Sequence, residues 1–443
     1  MATEPVPLIG ADVLARGMSV RARKKVLPSS AYNIWLAIFL AVLVGKAAEW
    51  VPGMAGIPLV KIAFIFTLLY AYRARAAFVP VRVRSLRIAR PAVAFLILSI
   101  LSIFFSIYKS FTLLSIQISI IYLLSFTVLI KITQTQRDVE RLLIALAIAG
   151  VSLSFGLLLS YTGGGRAHIN SNFDPNDIAY ELDTLLPLVL ALRGGRSRPH
   201  RLLLNLAAAA MVAAILLTGS RGGAIGLGVV LLATTAFPLD IAKSGQLKQF
   251  AAAGMLVRWG LIALTGLAVW GHLPQESQDR LLTLLDLKHD YNADPNSNAS
   301  RTVLWRRDIG LALQRPIGYG MGSASAVDGL NGGQYRTAHN SLVQAFVELG
   351  VLGLWFYLAT YYITWRELGR ITAVGKLQAP DKESSQVALY ARAFRIALAG
   401  NLAAGFFLSQ AYSASLWMTI AVCAAFVRIA SQRVAAPAKS SAT

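Results

Sequence analysis

Two arginines of this chain are flanked by glycines. Arg166 follows three consecutive glycines, and Arg221 lies in the run Thr218-Gly-Ser-Arg-Gly-Gly223 between two apolar segments. Glycines let backbone N–H groups approach an anion closely, and the start of a helix adds a favourable dipole. This setting is typical of an anion-binding site, although a single arginine of this kind can equally extend to lipid headgroups.

Two titratable side chains lie further along the chain. His339 belongs to Tyr335-Arg-Thr-Ala-His-Asn-Ser-Leu342, directly before an apolar stretch, and Glu348 follows within that stretch. A histidine is largely neutral near pH 7 and can accept a proton, or it can cap a helix. A carboxylate inside a membrane helix normally faces a polar interior, so Glu348 is either a site residue or an ion-pair partner.

Arg301 begins a helix-like segment that carries Trp305, and it is either functional or a surface arginine. Glu181 and Asp183 could act as acids, bases or partners of Arg166. The spacing of His168, Asp174 and Asp177 matches no metal motif, so we expect no metal site. The chain also has no P-loop, nucleotide-binding glycine fingerprint or nucleophile elbow.

The segments that must position these residues are strongly apolar. Of the 443 residues, 56% are apolar and 14% are charged, whereas a soluble protein has about 45–50% apolar and about 25% charged residues. The composition therefore excludes a disordered chain and a soluble enzyme. The single cysteine, Cys423, excludes a disulfide framework.

About twelve segments are apolar enough to cross a bilayer, since a membrane helix needs about 20 apolar residues. The predicted spans are residues 31–48, 57–72, 91–107, 112–130, 142–161, 178–192, 202–218, 224–239, 251–270, 342–365, 388–409 and 414–428. We therefore expect an all-α polytopic membrane protein with spans one to nine in 31–271 and spans ten to twelve in 342–428. Residues 1–30 and 429–443 are predicted to be tails.

The net charge of +21 is interpreted as a record of orientation, not of a nucleic-acid partner. Twenty-seven of the 42 Lys and Arg residues fall in the two tails and in alternate connections, whereas the short connections of the other side hold three, Lys109, Arg166 and Arg221. Cytoplasmic loops are enriched in Lys and Arg, so both tails are predicted to be cytoplasmic. The lone arginines of the other side are then the exceptions that indicate an anionic ligand.

The connection of residues 272–341, on the predicted outer side, is long and polar. Residues 279–288 are predicted to form an interfacial amphipathic helix, and residues 300–314 a helix capped by Ser300 and stopped by Pro316. A loop of this length with its own structure is more often functional than a simple connector.

Taken in order, these motifs resemble the O-antigen ligase and O-antigen polymerase superfamily. The resemblance rests on His339-Asn-Ser-Leu-Val-Gln-Ala-Phe-Val-Glu-Leu-Gly-Val-Leu-Gly-Leu354, preceded by Pro316-Ile-Gly-Tyr-Gly320. Three further elements follow the same pattern: the Asp-Pro-Asn-Asp run at 174–177, the Ser-Arg-Gly turn at 220–222, and Arg301 ahead of Trp305. By motif it covers residues 140 to 360, and the long outer loop resembles that of the ligases.

The resemblance implies a GT-C-like enzyme of the bacterial inner membrane with a periplasmic active site. It implies transfer of an O-antigen glycan from undecaprenyl diphosphate to a sugar hydroxyl of lipid A–core, with inversion and without metal or cofactor. By motif position His339 is the catalytic histidine, and Arg221 and Arg301 are essential arginines. Arg166 joins them at the diphosphate. Four residues have supporting roles, namely Asn340, Glu348, Asp174 and Asn176.

Other functions share parts of this pattern. An O-antigen polymerase or a protein O-oligosaccharyltransferase would use the same donor and the same motifs. From another class, a flippase for the lipid-linked glycan would need charged residues along a path across the bundle. Four cations near or within the spans keep that alternative open, namely Lys46, Lys61, Arg392 and Arg395.

Overall fold

The computed structural model describes residues 30–51, 53–54, 56–73, 80–81, 83, 86–163, 165–169, 173–239, 260, 263–264, 266–284, 300–377 and 382–435. Every regular element within these ranges is helical, which confirms the all-α prediction. The helices are α1 (Ser30–Gly45), α2 (Leu59–Arg73), α3 (Ala89–Leu101), α4 (Lys109–Ile132), α5 (Gln136–Ser160), α6 (Pro175–Ala191), α7 (Arg198–Leu217), α8 (Arg221–Ala236), α9 (Gln275–Leu282), α10 (Arg301–Gln314), α11 (Ala324–Leu330), α12 (Ser341–Leu377), α13 (Lys382–Gly405) and α14 (Ala414–Ala435). Two short elements, Ala47–Trp50 and the 3₁₀ turn Ser102–Phe104, follow α1 and α3.

Eleven of the predicted spans coincide with a helix, and most of the twelfth, 251–270, lies outside the described residues. Five helices of the described part are long and apolar enough to cross a membrane: α4, α5, α7, Ser341–Ala373 of α12 and Ala414–Gln432 of α14. The other helices are shorter or carry more charge; α6, for example, has 17 residues. A membrane protein is therefore indicated, while the count of twelve spans, the GT-C-like architecture and the division into tails, spans and outer loop stay predictions.

Capping residues set the helix starts of the predicted outer loop. The Ser300 hydroxyl accepts a hydrogen bond from Thr302 N at the start of α10, as expected of an N-cap. The helix predicted at 279–288 is placed wrongly, since α9 runs from Gln275 to Leu282 behind the N-cap Pro274. Residues 285–299 lie outside the described residues.

The connections on one end of the bundle meet around residues 266–284 and 300–340, and we call this the loop end. Arg166 of the α5–α6 connection bonds Thr218 between α7 and α8, and Ile107 N of the α3–α4 connection donates to Tyr319 O at 3.3 Å. The Ser341 hydroxyl donates to Leu408 O of the α13–α14 connection at 2.7 Å. The lone outer arginines predicted from the sequence therefore lie at one common end.

The opposite end carries the arginines that the charge pattern assigned to the cytoplasm. Arg87 lies 3.4 Å from Glu367, Arg196 pairs with Glu140, and Arg428 donates to Thr133 O. The separation of the connections into two sets thus agrees with the predicted alternation of loops. Which set faces the cytoplasm stays a prediction.

Close helix contacts in the interior depend on small residues, as is common in membrane bundles. Helix α13 packs against α6, α8 and α12. A Cβ placed on Gly226 of α8 would lie 2.2 Å from Asp183 Oδ2 of α6, and one on Gly400 of α13 would lie 2.4 Å from Val230. These contacts pack α8 closely against α6 and α13, and α6 and α8 both begin next to the candidate site.

Helix α12 is broken at Gly350, a feature that the predicted span 342–365 does not contain. Gly350 has φ 66° and ψ −161°, a region that is essentially restricted to glycine. The segment Pro316–Gly320 docks at the break: Tyr319 N donates to Val347 O at 2.9 Å, Gly320 N to Glu348 O at 2.8 Å, and Val351 N to Pro316 O at 2.9 Å. The two glycine-containing motifs therefore form one joint between α10 and α12.

We expect Gly350→Ala to destabilise the protein, because this backbone conformation costs a residue with a side chain about 1–3 kcal/mol of free energy. A Cβ at this position would also lie 1.9 Å from Pro316 O. Gly228→Ala in α8 is the matched control, since a Cβ there meets nothing within 4 Å. Thermal unfolding in detergent should show a lower Tm for Gly350→Ala and an unchanged or raised Tm for the control; equal Tm values would contradict the role of the break.

Candidate active site

The α5–α6 connection holds Arg166 through the cap of α6. Asp174 is the N-cap of α6, where its Oδ1 accepts from Asn176 N at 2.7 Å and from Asn176 Nδ2 at 2.8 Å. Asn176 Oδ1 in turn accepts from Arg166 Nη2 at 2.9 Å, and Arg166 Nε donates to Thr218 O at 2.8 Å. The predicted supporting residues Asp174 and Asn176 thus fix the guanidinium of Arg166 against the α7–α8 turn.

Arg221 is the first residue of α8 and is buried, with 6% of its surface exposed. Ser220 caps the helix by accepting from Gly223 N at 3.1 Å, and Arg221 Nη1 donates to Thr283 Oγ1 at 3.0 Å. The glycines of this turn accommodate protein atoms: a Cβ on Gly223 would lie 2.3 Å from the Cβ of Ala179. The glycines therefore permit close packing around Arg221, where the sequence suggested that they expose N–H groups to an anion.

His339 lies between α11 and α12 in a left-handed backbone conformation, with φ 48°. Burial lowers the pKa of His339 to about 4, the positive charges of Arg301 and Arg336 act in the same direction, and Asp174 opposes them. The imidazole is therefore neutral near pH 7, which is the protonation state that a general base requires.

Asn340 and Glu348 act on the backbone around His339. Asn340 Oδ1 accepts from Leu342 N at 2.9 Å and from Val343 N at 3.1 Å, so Asn340, and not His339, caps α12. The buried Glu348 carboxylate accepts from Gly322 N at 2.8 Å and from Ala324 N at 3.2 Å at the start of α11. These contacts give Glu348 a structural role as the acceptor that orders the segment leading to His339.

The structure brings most of the candidate residues together. His339 interacts electrostatically with Arg301 and Asp174, and Asp174 is linked through Asn176 to Arg166. We call these five residues the histidine–arginine cluster. Arg221 follows three residues after Thr218, whose carbonyl accepts from Arg166, and Glu348 contacts the backbone of Gly322 and Ala324.

Two acidic candidates are not partners of Arg166 in the hydrogen bonds described above. Glu181 is buried and accepts from the Ser413 hydroxyl at 3.3 Å, and Asp183 is buried against Gly226. His168 contacts Arg166 O at 3.1 Å through Nδ1. Within the described ranges, no three His, Cys, Asp or Glu side chains converge as metal ligands would.

Sequence reasoning missed two cations near the cluster as site residues, although it named Lys46 for the flippase alternative. The positive charge of Arg336, three residues before His339, lowers the pKa of His339. The signal that could have identified Arg336 was its position within the histidine motif. Lys46 lies between α1 and α2 with its Nζ 3.5 Å from the ring centroid of Phe173, directly before Asp174. The signal that could have identified Lys46 was the presence of a lysine at the end of an apolar span.

Residues 206–358 match the model of the family described as O-antigen ligase. The matched range contains Arg221, Arg301, His339, Asn340 and Glu348, and it ends shortly after the break at Gly350. No curated protein matches the chain. The match covers 153 of the 443 residues, about a third of the chain, and this part is similar to the O-antigen ligase family.

Proposed function

We propose that the protein is an inverting glycosyltransferase that moves O-antigen glycan from undecaprenyl diphosphate to a sugar hydroxyl of lipid A–core. The reaction takes place at the periplasmic surface of the inner membrane and needs no metal or cofactor. The observation that carries this proposal is that residues 206–358 match the O-antigen ligase family and hold a neutral histidine beside an arginine at the loop end.

The arginines of the site are suited to binding the diphosphate of the donor. A diphosphate is a good leaving group, but its charge must be stabilised while the bond between the anomeric carbon and the phosphate oxygen breaks. Arginine provides charge-assisted hydrogen bonds to phosphate, each worth about 1.5–3 kcal/mol. Arg221, Arg301 and Arg166 are assigned this role, and they can replace a divalent ion.

His339 is suited to activating the sugar hydroxyl of the acceptor. A sugar hydroxyl attacks well only when its proton is removed, and a neutral imidazole can take that proton as the new glycosidic bond forms. Attack from the face opposite the diphosphate inverts the anomeric carbon and releases undecaprenyl diphosphate. An arriving diphosphate also adds negative charge beside Arg301 and His339, which favours the imidazolium that the reaction forms.

The experiment that tests the proposal uses purified protein in detergent with a defined undecaprenyl diphosphate-linked glycan and lipid A–core. The expected product is lipid A–core carrying the glycan, identified by mass spectrometry and still formed in EDTA. Absence of that product with active donor and acceptor would reject a ligase. Configuration at the new linkage, determined by NMR, tests inversion.

The same assay separates the alternatives. A polymerase would instead join two lipid-linked glycans, and a protein O-oligosaccharyltransferase would require a polypeptide acceptor. A flippase would give no product in detergent, where there is no membrane to cross. Two of the four cations that kept the flippase open have different surroundings: Lys46 contacts Phe173 at the loop end, whereas Arg395 lies over the rings of Phe237 and Trp365.

A further inference from the structure

We propose that Trp305 is a positioning residue for His339, because its indole holds the backbone of the preceding residue and so fixes the histidine relative to Arg301. The proposal rests on the proposed function in taking His339 as the base. It assigns Trp305 no contact with either substrate.

The indole of Trp305 is held on two sides. Its Nε1–H donates to Ala338 O at 2.7 Å, which joins α10 to the loop directly before His339. Its ring meets Phe406 of the α13–α14 connection edge-to-face, with 5.4 Å between centroids. Because Ala338 is fully buried, its carbonyl depends on a protein donor at this position.

The backbone of His339 needs such support. A residue with a side chain at positive φ is strained and persists only where its surroundings over-determine it. On one side the Asn340 cap fixes the start of α12, and on the other the Trp305 bond fixes Ala338. Loss of the indole N–H would leave only the first of these two restraints and let φ of His339 relax.

Helix α10 links this restraint to Arg301. Arg301 and Trp305 are four residues apart and therefore lie on one face of α10. The same helix is tied a second time to the loop, since Arg307 Nη1 lies 2.7 Å from Asp328 Oδ1 and Asp328 Oδ2 accepts from Arg336 N at 3.2 Å. A rigid element thus connects the arginine with the segment that carries His339.

The first test is Trp305→Phe, which keeps an aromatic ring beside Phe406 and removes the N–H donor. Small misplacements of a catalytic group can cost about 10²-fold in rate, so we expect kcat for glycan transfer to fall about 10- to 100-fold. The KM for the donor should stay unchanged, because the arginines are retained. Trp355→Phe is the matched control, since Trp355 lies on α12 with 65% of its surface exposed.

A second variant keeps the shape of the side chain. Incorporation of 3-benzothienylalanine at position 305 replaces the N–H with sulfur, and it should reproduce the loss of kcat even if Trp305→Phe folds poorly. Unchanged kcat in this variant would overturn the proposal.

A readout without substrate separates this proposal from the proposed function. Carbethoxylation of His339 by diethyl pyrocarbonate, followed by mass spectrometry across a range of pH, reports the pKa of the imidazole. We expect the Trp305 variants to raise that pKa towards its ordinary value, as His339 leaves its buried position beside Arg301. A lower Tm with an unchanged pKa and kcat would show a structural role only. A wild-type protein that transfers no glycan would reject the proposed function, while the pKa would still report the link between Trp305 and His339.

Discussion

Replacing His339 with alanine is expected to lower the rate of glycan transfer by about 10²–10⁴-fold, the usual contribution of a positioned general base. Without the imidazole the acceptor hydroxyl keeps its proton as it attacks, whereas Arg301 and Arg166 still hold the diphosphate. Binding of the donor should therefore change little. The measurement is single-turnover transfer with a labelled donor, together with a donor-binding isotherm.

Two further variants make this result specific. Residue 339 has positive φ, and asparagine tolerates that conformation better than alanine, so His339→Asn should fold as the wild type does and still lose transfer. His200→Ala is the control, because His200 is exposed at the start of α7 and contacts Ser197. Wild-type turnover in either His339 variant would remove this residue from the mechanism.

Residue types, their order and the family resemblance together selected the members of the histidine–arginine cluster. Arg166 and Arg221 stand out in the sequence because they are exceptions on the cation-poor side of an apolar chain. The charge asymmetry of the loops then placed Arg166, Arg221 and His339 on one side, and the structure places all three at the loop end. Caps such as Ser300 were equally visible, because capping depends on the few residues around a helix start.

Long-range contacts were not predictable in this way. The break at Gly350 is defined by Pro316, which lies 34 residues earlier in the chain and accepts from Val351 N. Hydrophobic periodicity describes one segment at a time and reads 342–365 as a continuous span. Glu348 illustrates the same limit: its sequence context indicates a polar site, whereas its partners include the backbone N–H groups of Gly322 and Ala324.

Replacing Arg301 with glutamine is expected to weaken capture of the donor and to change the pH dependence of transfer. Loss of one charge-assisted contact to the diphosphate, worth about 1.5–3 kcal/mol, raises the Kd for the donor about 10- to 100-fold. Arg306→Gln is the matched control, since it removes the same charge from an exposed position of the same helix. Its donor affinity should equal that of the wild type.

The pH dependence follows from the neutral state of His339. In the wild type, kcat/KM for the donor reports the free enzyme, so it should stay level from pH 7 downwards and fall as the pH drops through about 4, where His339 becomes protonated. Burial is the larger cause of this low pKa and remains in Arg301→Gln, but the repulsion from the guanidinium is lost. The pKa of His339 therefore rises, and the activity is lost at a higher pH than in the wild type.

The donor complex of the wild type should show the same direction of shift. With saturating donor, kcat/KM for lipid A–core reports His339 beside a bound diphosphate, whose negative charge favours the imidazolium. We expect the acid limb of this profile to lie at a higher pH than the acid limb of the profile of kcat/KM for the donor. If the two acid limbs coincide and Arg301→Gln has the same pH profile as the wild type, this result would contradict an electrostatic link between the arginine, the diphosphate and the base. Separate limbs would mean that the donor itself raises the basicity of His339, so that the base becomes effective only when there is a glycan to transfer.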